Sequence, residues 1–411
     1  MLKRVKVTVA LTAAASSAVL LMASQQAMAT TAQGSANNPT ADVVGVGSDT
    51  LQFAGDFLAD GAPASSVGGL AVSGFNASGN KFRMINYDAT GDSVGRGTYN
   101  STGGQYYTDS PTTALVLRAK QAPVEIPDGS SNGIAALLND SPGSGTNYHN
   151  VPNGSIQYAR MSRIPKQVAE ENVCAADSTG CVSLHPVAIG SDSLTIAQRD
   201  PSLGGSNAVA LSGFQLAKIY QCSAGFTHWN DPGIGGTSSD TIVPIIPQTG
   251  SGTRNDFTAD LTSHYGFSGT LGGCVQTAQE HDPDGIVLNP NAIDAIEPFS
   301  AARIALINSG YFANAGVAAN KVIASSGTPS DTNPIYRLSR NMYITVRDAD
   351  VNNSTAWQPG GANNWAKTLF VGGSSYLSRA TGQADVTAAG FVGGYLDCGA
   401  ADLSGSCPAF G

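Results

Sequence analysis

Apolar positions recur along the chain in one repeated order: a short β-branched run, a loop of Gly, Ser and Thr, then a stretch at helical spacing. The first copy is Val43-Val44-Gly45-Val46, followed by Gly47-Ser48-Asp49-Thr50 and a stretch with Leu51, Ala54 and Leu58 on one face. The second is Pro123-Val124-Glu125-Ile126, then Asp128-Gly129-Ser130-Ser131-Asn132-Gly133, then Ile134, Leu137 and Leu138. A third runs Ile242-Val243-Pro244-Ile245-Ile246, then Thr249-Gly250-Ser251-Gly252-Thr253, then Phe257, Leu261 and Tyr265, stopped by Gly266. Three strand-loop-helix units predict an α/β architecture. No longer repeat is visible, which argues against solenoids and propellers.

The N-terminal stretch breaks this pattern. Lys3, Arg4 and Lys6 precede an apolar run that ends in Ala27-Met28-Ala29. This is the order of a secretory leader, and cleavage after Ala29 is expected, giving a signal peptide over 1–29. No cysteine follows the run to take a lipid anchor, and no later segment nears the roughly 18 apolar residues of a membrane span. A soluble periplasmic or secreted protein is expected. Without the leader, 18 Lys and Arg stand against 30 Asp and Glu. That acidic balance argues against nucleic acid or an anionic membrane surface as partner.

Six cysteines, Cys174, Cys181, Cys222, Cys274, Cys398 and Cys407, suit an oxidising compartment. Cys174 with Cys181 and Cys398 with Cys407 would close short polar loops, which leaves Cys222 for Cys274. No C-x-x-C pair exists and His does not accompany the cysteines, so neither a metal site nor a cofactor is expected.

Only 12% of the 411 residues are charged, so the candidate chemistry lies in the loops. A helix start exposes backbone N–H groups without intrahelical partners at the positive end of the helix dipole, which makes it an anion site. Gly lets the backbone come close, and Ser or Thr adds a hydroxyl donor. Helix capping is the ordinary role of the same residues; a ligand site is favoured by three such loops in one chain and by Arg254, which opposes the dipole of the helix it begins. A second Gly-Ser-Gly-Thr, at 143–146, has no strand before it and no helix after it, and reads as a surface loop.

Taken in order, GVGSDTLQ, DGSSNGIAALL, SIQYARMSRIP, HPVAIG, LSGFQLAKIYQC with HWNDP, and IVPIIPQTGSGTRNDFTADL resemble the periplasmic phosphate-binding proteins of ABC transporters, the PstS-like superfamily. The likeness continues more faintly through EPFSAAR at 297–303 and YRLSRNMYITVR at 336–347. The resemblance implies a two-lobed, hinged α/β binding protein of type II, monomeric and non-enzymatic, delivering phosphate or a related oxyanion to a permease. Residues 40–186 with 300–411 would form one lobe and 187–299 the other. Ligand in the cleft would meet Ser48, Asp49 and Thr50; Gly129, Ser130 and Ser131; Ser162; and Gly250, Ser251, Gly252, Thr253 and Arg254.

Two departures stand out. The family commonly carries an Arg shortly before Gly-Ser-Gly-Thr, whereas Ile246-Pro247-Gln248-Thr249 has none, leaving Arg254 as the only cation of that loop. The family's third-loop Asp is Ser162 here. A hydroxyl donates equally to phosphate and sulfate, so an acceptor for the proton of phosphate must come from elsewhere. Asp49 is the best-placed candidate, with N-capping of the helix beginning near Leu51 as its alternative role.

Three other readings stand beside this one. A secreted surface or matrix protein could keep the fold without the transport role. Gly91-Asp92-Ser93-Val94-Gly95 matches the nucleophile elbow of serine hydrolases, but no helical pattern follows it. Asp348-Ala349-Asp350-Val351-Asn352 begins like an EF-hand loop, but Asn353 and Pro359 stand where that loop needs Gly and Glu.

Overall fold

The computed structural model describes residues 42–69, 71–80, 82–87, 89, 99–100, 105–106, 114–118, 121–139, 151, 154–165, 184–199, 210–281, 286, 294–311, 322–324, 335–352 and 365–399. The expected leader, the second Gly-Ser-Gly-Thr, the 91–95 motif, Cys174, Cys181 and Cys407 lie outside these residues.

Ten strands form one mixed sheet: β1 (Asp42–Gly47), β2 (Arg83–Asn86), β3 (Tyr158–Met161), β4 (Leu184–Arg199), β5 (Val243–Pro247), β6 (Gln276–Ala278), β7 (Ala295–Ser300), β8 (Val322–Ala324), β9 (Leu338–Arg347) and β10 (Val392–Asp397). The spatial order is β6-β5-β7-β4-β9-β3-β1-β2, with β8 and β10 also paired to β4. At one end β2, β1 and β3 run parallel, and at the other β6, β5 and β7 do. Each is a strand-loop-helix end of the kind the sequence pattern predicts. The two ends are joined through antiparallel pairing of the sixteen-residue β4, which pairs β9 from Leu184 to Leu194 and β7 from Leu194 to Gln198. β1 and β5 are buried along their whole length, which explains why both read as continuous apolar runs rather than alternating ones.

The helices that matter for the site are α1 (Gln52–Asp60), α2 (Gly129–Asn139), α3 (Gly213–Tyr220), α4 (Gly252–His264) and α5 (Ala301–Asn308). A 3-10 turn, Asp49–Leu51, precedes α1, so Leu51 ends that turn rather than opening the helix. The second unit differs from its expectation: Val124–Glu125 pairs with Ala114–Leu115 in a separate two-stranded piece, and only Asp128 makes a bridge to Gly47. Pro123 and Pro127 bracket that run and withhold two backbone donors, which limits it to a short edge.

Apolar packing separates into clusters. Leu194, Leu216, Tyr220, Phe257, Leu261 and Ile296 share one, while the two largest others draw mainly on residues before 190 and after 301. Phe257 lies edge-on to Tyr220 and Tyr336, with ring centroids 4.9 and 5.5 Å away, which pins α4 to α3 and to the approach to β9. Cys222 and Cys274 form a disulfide, as their pairing by elimination required. Cys398 is also disulfide-bonded. Among the described residues no helix is long and apolar enough to cross a membrane.

Candidate functional site

The first loop is held from beneath by a buried guanidinium. Arg160 of β3 donates to Ser48 O at 3.1 Å, Gly47 O at 3.0 Å, Tyr87 O at 2.7 Å and Asn86 Oδ1 at 2.6 Å. With Ser48 N donating back to Arg160 O at 2.9 Å, the turn after β1 is fixed on both sides. Ser48, Asp49 and Thr50 are all fully buried. Asp49 lies inside the 3-10 turn, whose N-cap is Ser48, and its carboxylate is 3.6 Å from Nη2 of Arg303, whose guanidinium stacks 4.2 Å over Phe53.

The second and third loops meet at two hydroxyls. Ser130 Oγ lies 3.0 Å from Ser162 Oγ and accepts from Ser162 N at 3.0 Å. Gly252 runs directly beneath them: a Cβ there would collide with Ser162 Oγ and lie 2.7 Å from Ser130 Oγ. Gly129 has φ +81° and would press a Cβ to 2.6 Å from Gly250 O. Both positions require glycine, for close backbone approach. Ser131 Oγ instead accepts from Arg163 Nη2 at 3.0 Å.

The start of α4 completes the cluster. Ser251 Oγ caps the helix by accepting from Arg254 N at 3.1 Å. Thr253 Oγ1 lies 3.5 Å from Thr50 Oγ1 and accepts from Nη1 of Arg340, a buried cation of β9, at 2.9 Å. Arg340 is fixed in turn by Asp192 Oδ2 at 3.0 Å and Asp256 Oδ2 at 3.3 Å. The Arg254 guanidinium turns back to donate to Pro247 O at 2.9 Å, and burial lowers its pKa.

A carboxyl and an imidazole from the end of β6 reach the same place. Glu280 Oε1 accepts from Thr50 Oγ1 at 3.1 Å and from Thr253 N at 3.3 Å. His281, at φ +57°, puts Nε2 2.9 Å from Thr50 Oγ1. Its Nδ1 accepts from Ser300 N at 3.4 Å, which places the ring proton on Nε2, donating to Thr50. Glu280 and His281 are both fully buried. Gln248, standing where the resemblance leads one to look for an Arg, accepts from Glu280 N at 2.7 Å and donates to Asp128 Oδ2 at 3.1 Å. It ties the Glu280 backbone to the residue before α2.

Thus the structure gathers Thr50, Ser130, Ser162, Ser251, Gly252 and Thr253, and sets Asp49 against Arg303 beside them. Glu280, His281, Arg340, Asp192 and Arg303 were not assigned to a site from sequence. Their partners lie far along the chain, and the one local signal is that Ser300-Ala-Ala-Arg303 repeats the Ser251-Gly-Thr-Arg254 cap pattern. Among the described residues no cluster fit to hold a metal ion occurs. The EF-hand-like stretch is a helical turn, Asp348–Val351, with Asp350 paired to Arg347 at 2.8 Å and Asp348 to His185 at 3.2 Å.

This mixed α/β chain belongs to the PBP superfamily: that family's domain matches residues 90–370. Solved structures overlap it in part. One, from Clostridium perfringens with bound phosphate, assigned as a phosphate ABC transporter substrate-binding protein, is 15% identical with a TM-score of 0.48, covering 86% of this chain and 99% of that one. An ABC-type phosphate transport receptor from Vibrio cholerae is 17% identical with a TM-score of 0.37, covering 64% and 85%. Likenesses at this level carry no functional argument. No curated protein matches the chain by sequence.

Proposed function

We propose that this protein is an exported, non-enzymatic substrate-binding protein that captures a small oxyanion, inorganic phosphate, for ABC-type uptake. Phosphate would sit at the start of α4 between two hinged lobes, 40–186 with 300–411 on one side and 187–299 on the other. One observation carries the reading. Hydroxyls of Thr50, Ser130, Ser162 and Thr253, from four separate segments, converge fully buried on the N-terminal turn of α4. Burial strengthens such donors toward an anion, and each hydrogen bond to a charged group contributes roughly 1.5–3 kcal/mol. Four of them approach the roughly 8 kcal/mol of micromolar affinity. Membership of the PBP superfamily supports the reading.

Isothermal titration of the purified, dialysed protein with phosphate tests it. Heat of binding, or phosphate released on denaturation, is expected; absence of both would overturn the proposal. A secreted surface protein without transport would bind phosphate yet lack a permease beside it in the genome.

A further inference from the structure

The start of α4 is already in contact with a negative group of the chain itself. Thr253 N and Thr50 Oγ1, the donors an entering anion would use, both donate to Glu280 Oε1, while Glu280 Oε2 is buried without a hydrogen bond. We propose that Glu280 takes up a proton when the site fills, so that anion capture is coupled to protonation of this one buried carboxyl. The inference rests on the reading of the cluster as an oxyanion site.

Charge balance is the first reason. Around the cluster stand the carboxyls of Asp49, Asp192, Asp256 and Glu280 and the guanidiniums of Arg303, Arg340 and Arg254. Arg303 faces Asp49, Arg340 faces Asp192 and Asp256, and Arg254 turns to a carbonyl, so no cation is dedicated to Glu280. An anion entering beside ionised Glu280 would meet uncompensated like charge in a low-dielectric interior. Protonation removes that repulsion and converts Oε2 from an acceptor into an O–H donor.

The groups packed around Glu280 agree. Burial is the largest influence and raises its pKa; Asp49 raises it further, against weaker opposition from Thr253, Arg340 and Ser251. Gln248 touches only its backbone N–H, and His281, 3.7 Å from Oε1, already carries its proton on Nε2 facing Thr50. Glu280 is therefore the group best placed to change charge when an anion arrives.

The test is calorimetry of the full chain with sodium sulfate, which does not titrate between pH 5 and 8, and with phosphate, each in two buffers of different ionisation enthalpy. Wild type should take up about one proton per sulfate at the alkaline end, with affinity falling up to about tenfold per pH unit there. Glu280→Gln should bind sulfate without uptake and with a flat pH profile. A difference infrared spectrum of wild type, in which sulfate brings up a protonated-carboxyl C=O band, checks the same point without a variant. Equal uptake by both proteins would assign the proton to another group and overturn the inference. So would phosphate bound but sulfate refused by wild type and admitted by Glu280→Gln, since Glu280 would then stay ionised and accept the proton of phosphate. Failure of both anions to bind either protein would overturn the oxyanion reading itself, and the coupling with it.

Discussion

Helices α4 and α5 begin alike and are finished differently. Each is capped by a serine, Ser251 or Ser300, that accepts from the backbone N–H of an arginine three residues on, at 3.1 and 3.2 Å. Each receives a buried carboxyl from a distant segment at its first turn. At α5, Asp192 Oδ1 accepts from Ser300 Oγ and Ala302 N while its Oδ2 accepts from Arg340, so both oxygens are used. At α4, Glu280 Oε1 is held by Thr50 and Thr253, and Oε2 has no hydrogen bond. The arginines diverge as well: Arg303 faces Asp49, whereas Arg254 folds back on Pro247 O. A Ser-x-x-Arg helix start is thus a completed structural joint in one place and an unfinished one in the other. The open carboxyl oxygen at α4 gives that start a group able to take a further proton.

Breaking the completed joint should cost most. Asp192→Asn leaves Arg340 buried without its main counter-charge, and a loss of about 3–5 kcal/mol is expected in denaturant unfolding. Glu280→Gln should cost far less, because no paired cation is orphaned.

The pH dependence separates the two joints again. Glu280 has a raised pKa in the folded protein, so the fold binds a proton that the unfolded chain releases at lower pH. Stability should therefore fall as pH rises between those two values, and that part of the fall should vanish in Glu280→Gln. Asp385, raised to about 7 mainly by burial, adds a fall of the same sign, so the comparison must be made as a difference between wild type and variant. A parallel pair of stability–pH curves would show that Glu280 does not titrate as described.

The caps come next. Ser300→Ala removes the hydroxyl bonded to Asp192 as well as the cap, and should lower stability by about 1–2 kcal/mol without changing phosphate affinity. Ser251→Ala should cost about 1 kcal/mol in stability and also weaken phosphate about tenfold. Equal effects of both on affinity would erase the distinction drawn between the helices. Smallest of all, Ser144→Ala and Thr146→Ala, in the second Gly-Ser-Gly-Thr, should change neither stability nor binding.

Local pattern made the strand, loop and helix of the first and third units legible, because β1, β5, α1 and α4 depend on runs of neighbouring residues. It also pointed to Ser130 and Thr253, at helix starts where capping is the ordinary role, whereas Ser162 entered only through the family resemblance. The cluster's charges were not legible. Arg340 meets Thr253 across 87 positions and Asp192 across 148, on a strand whose alternation marks only which face is buried. Glu280 and His281 follow a three-residue strand, and the positive φ of His281 leaves no mark in a sequence where that position is not glycine. The pairing of Asp49 with Arg303 was not legible either, because the two lie some 250 positions apart.

The most direct measurement is the phosphate affinity of Thr253→Val, determined by calorimetry beside wild type and Ser144→Ala. Thr253 contributes both a backbone N–H and a hydroxyl at the α4 start, and the substitution removes only the hydroxyl. A loss of about tenfold or more, with Ser144→Ala unchanged, is the predicted result. Affinity retained in Thr253→Val would place phosphate elsewhere and contradict the assignment of the α4 start as its site.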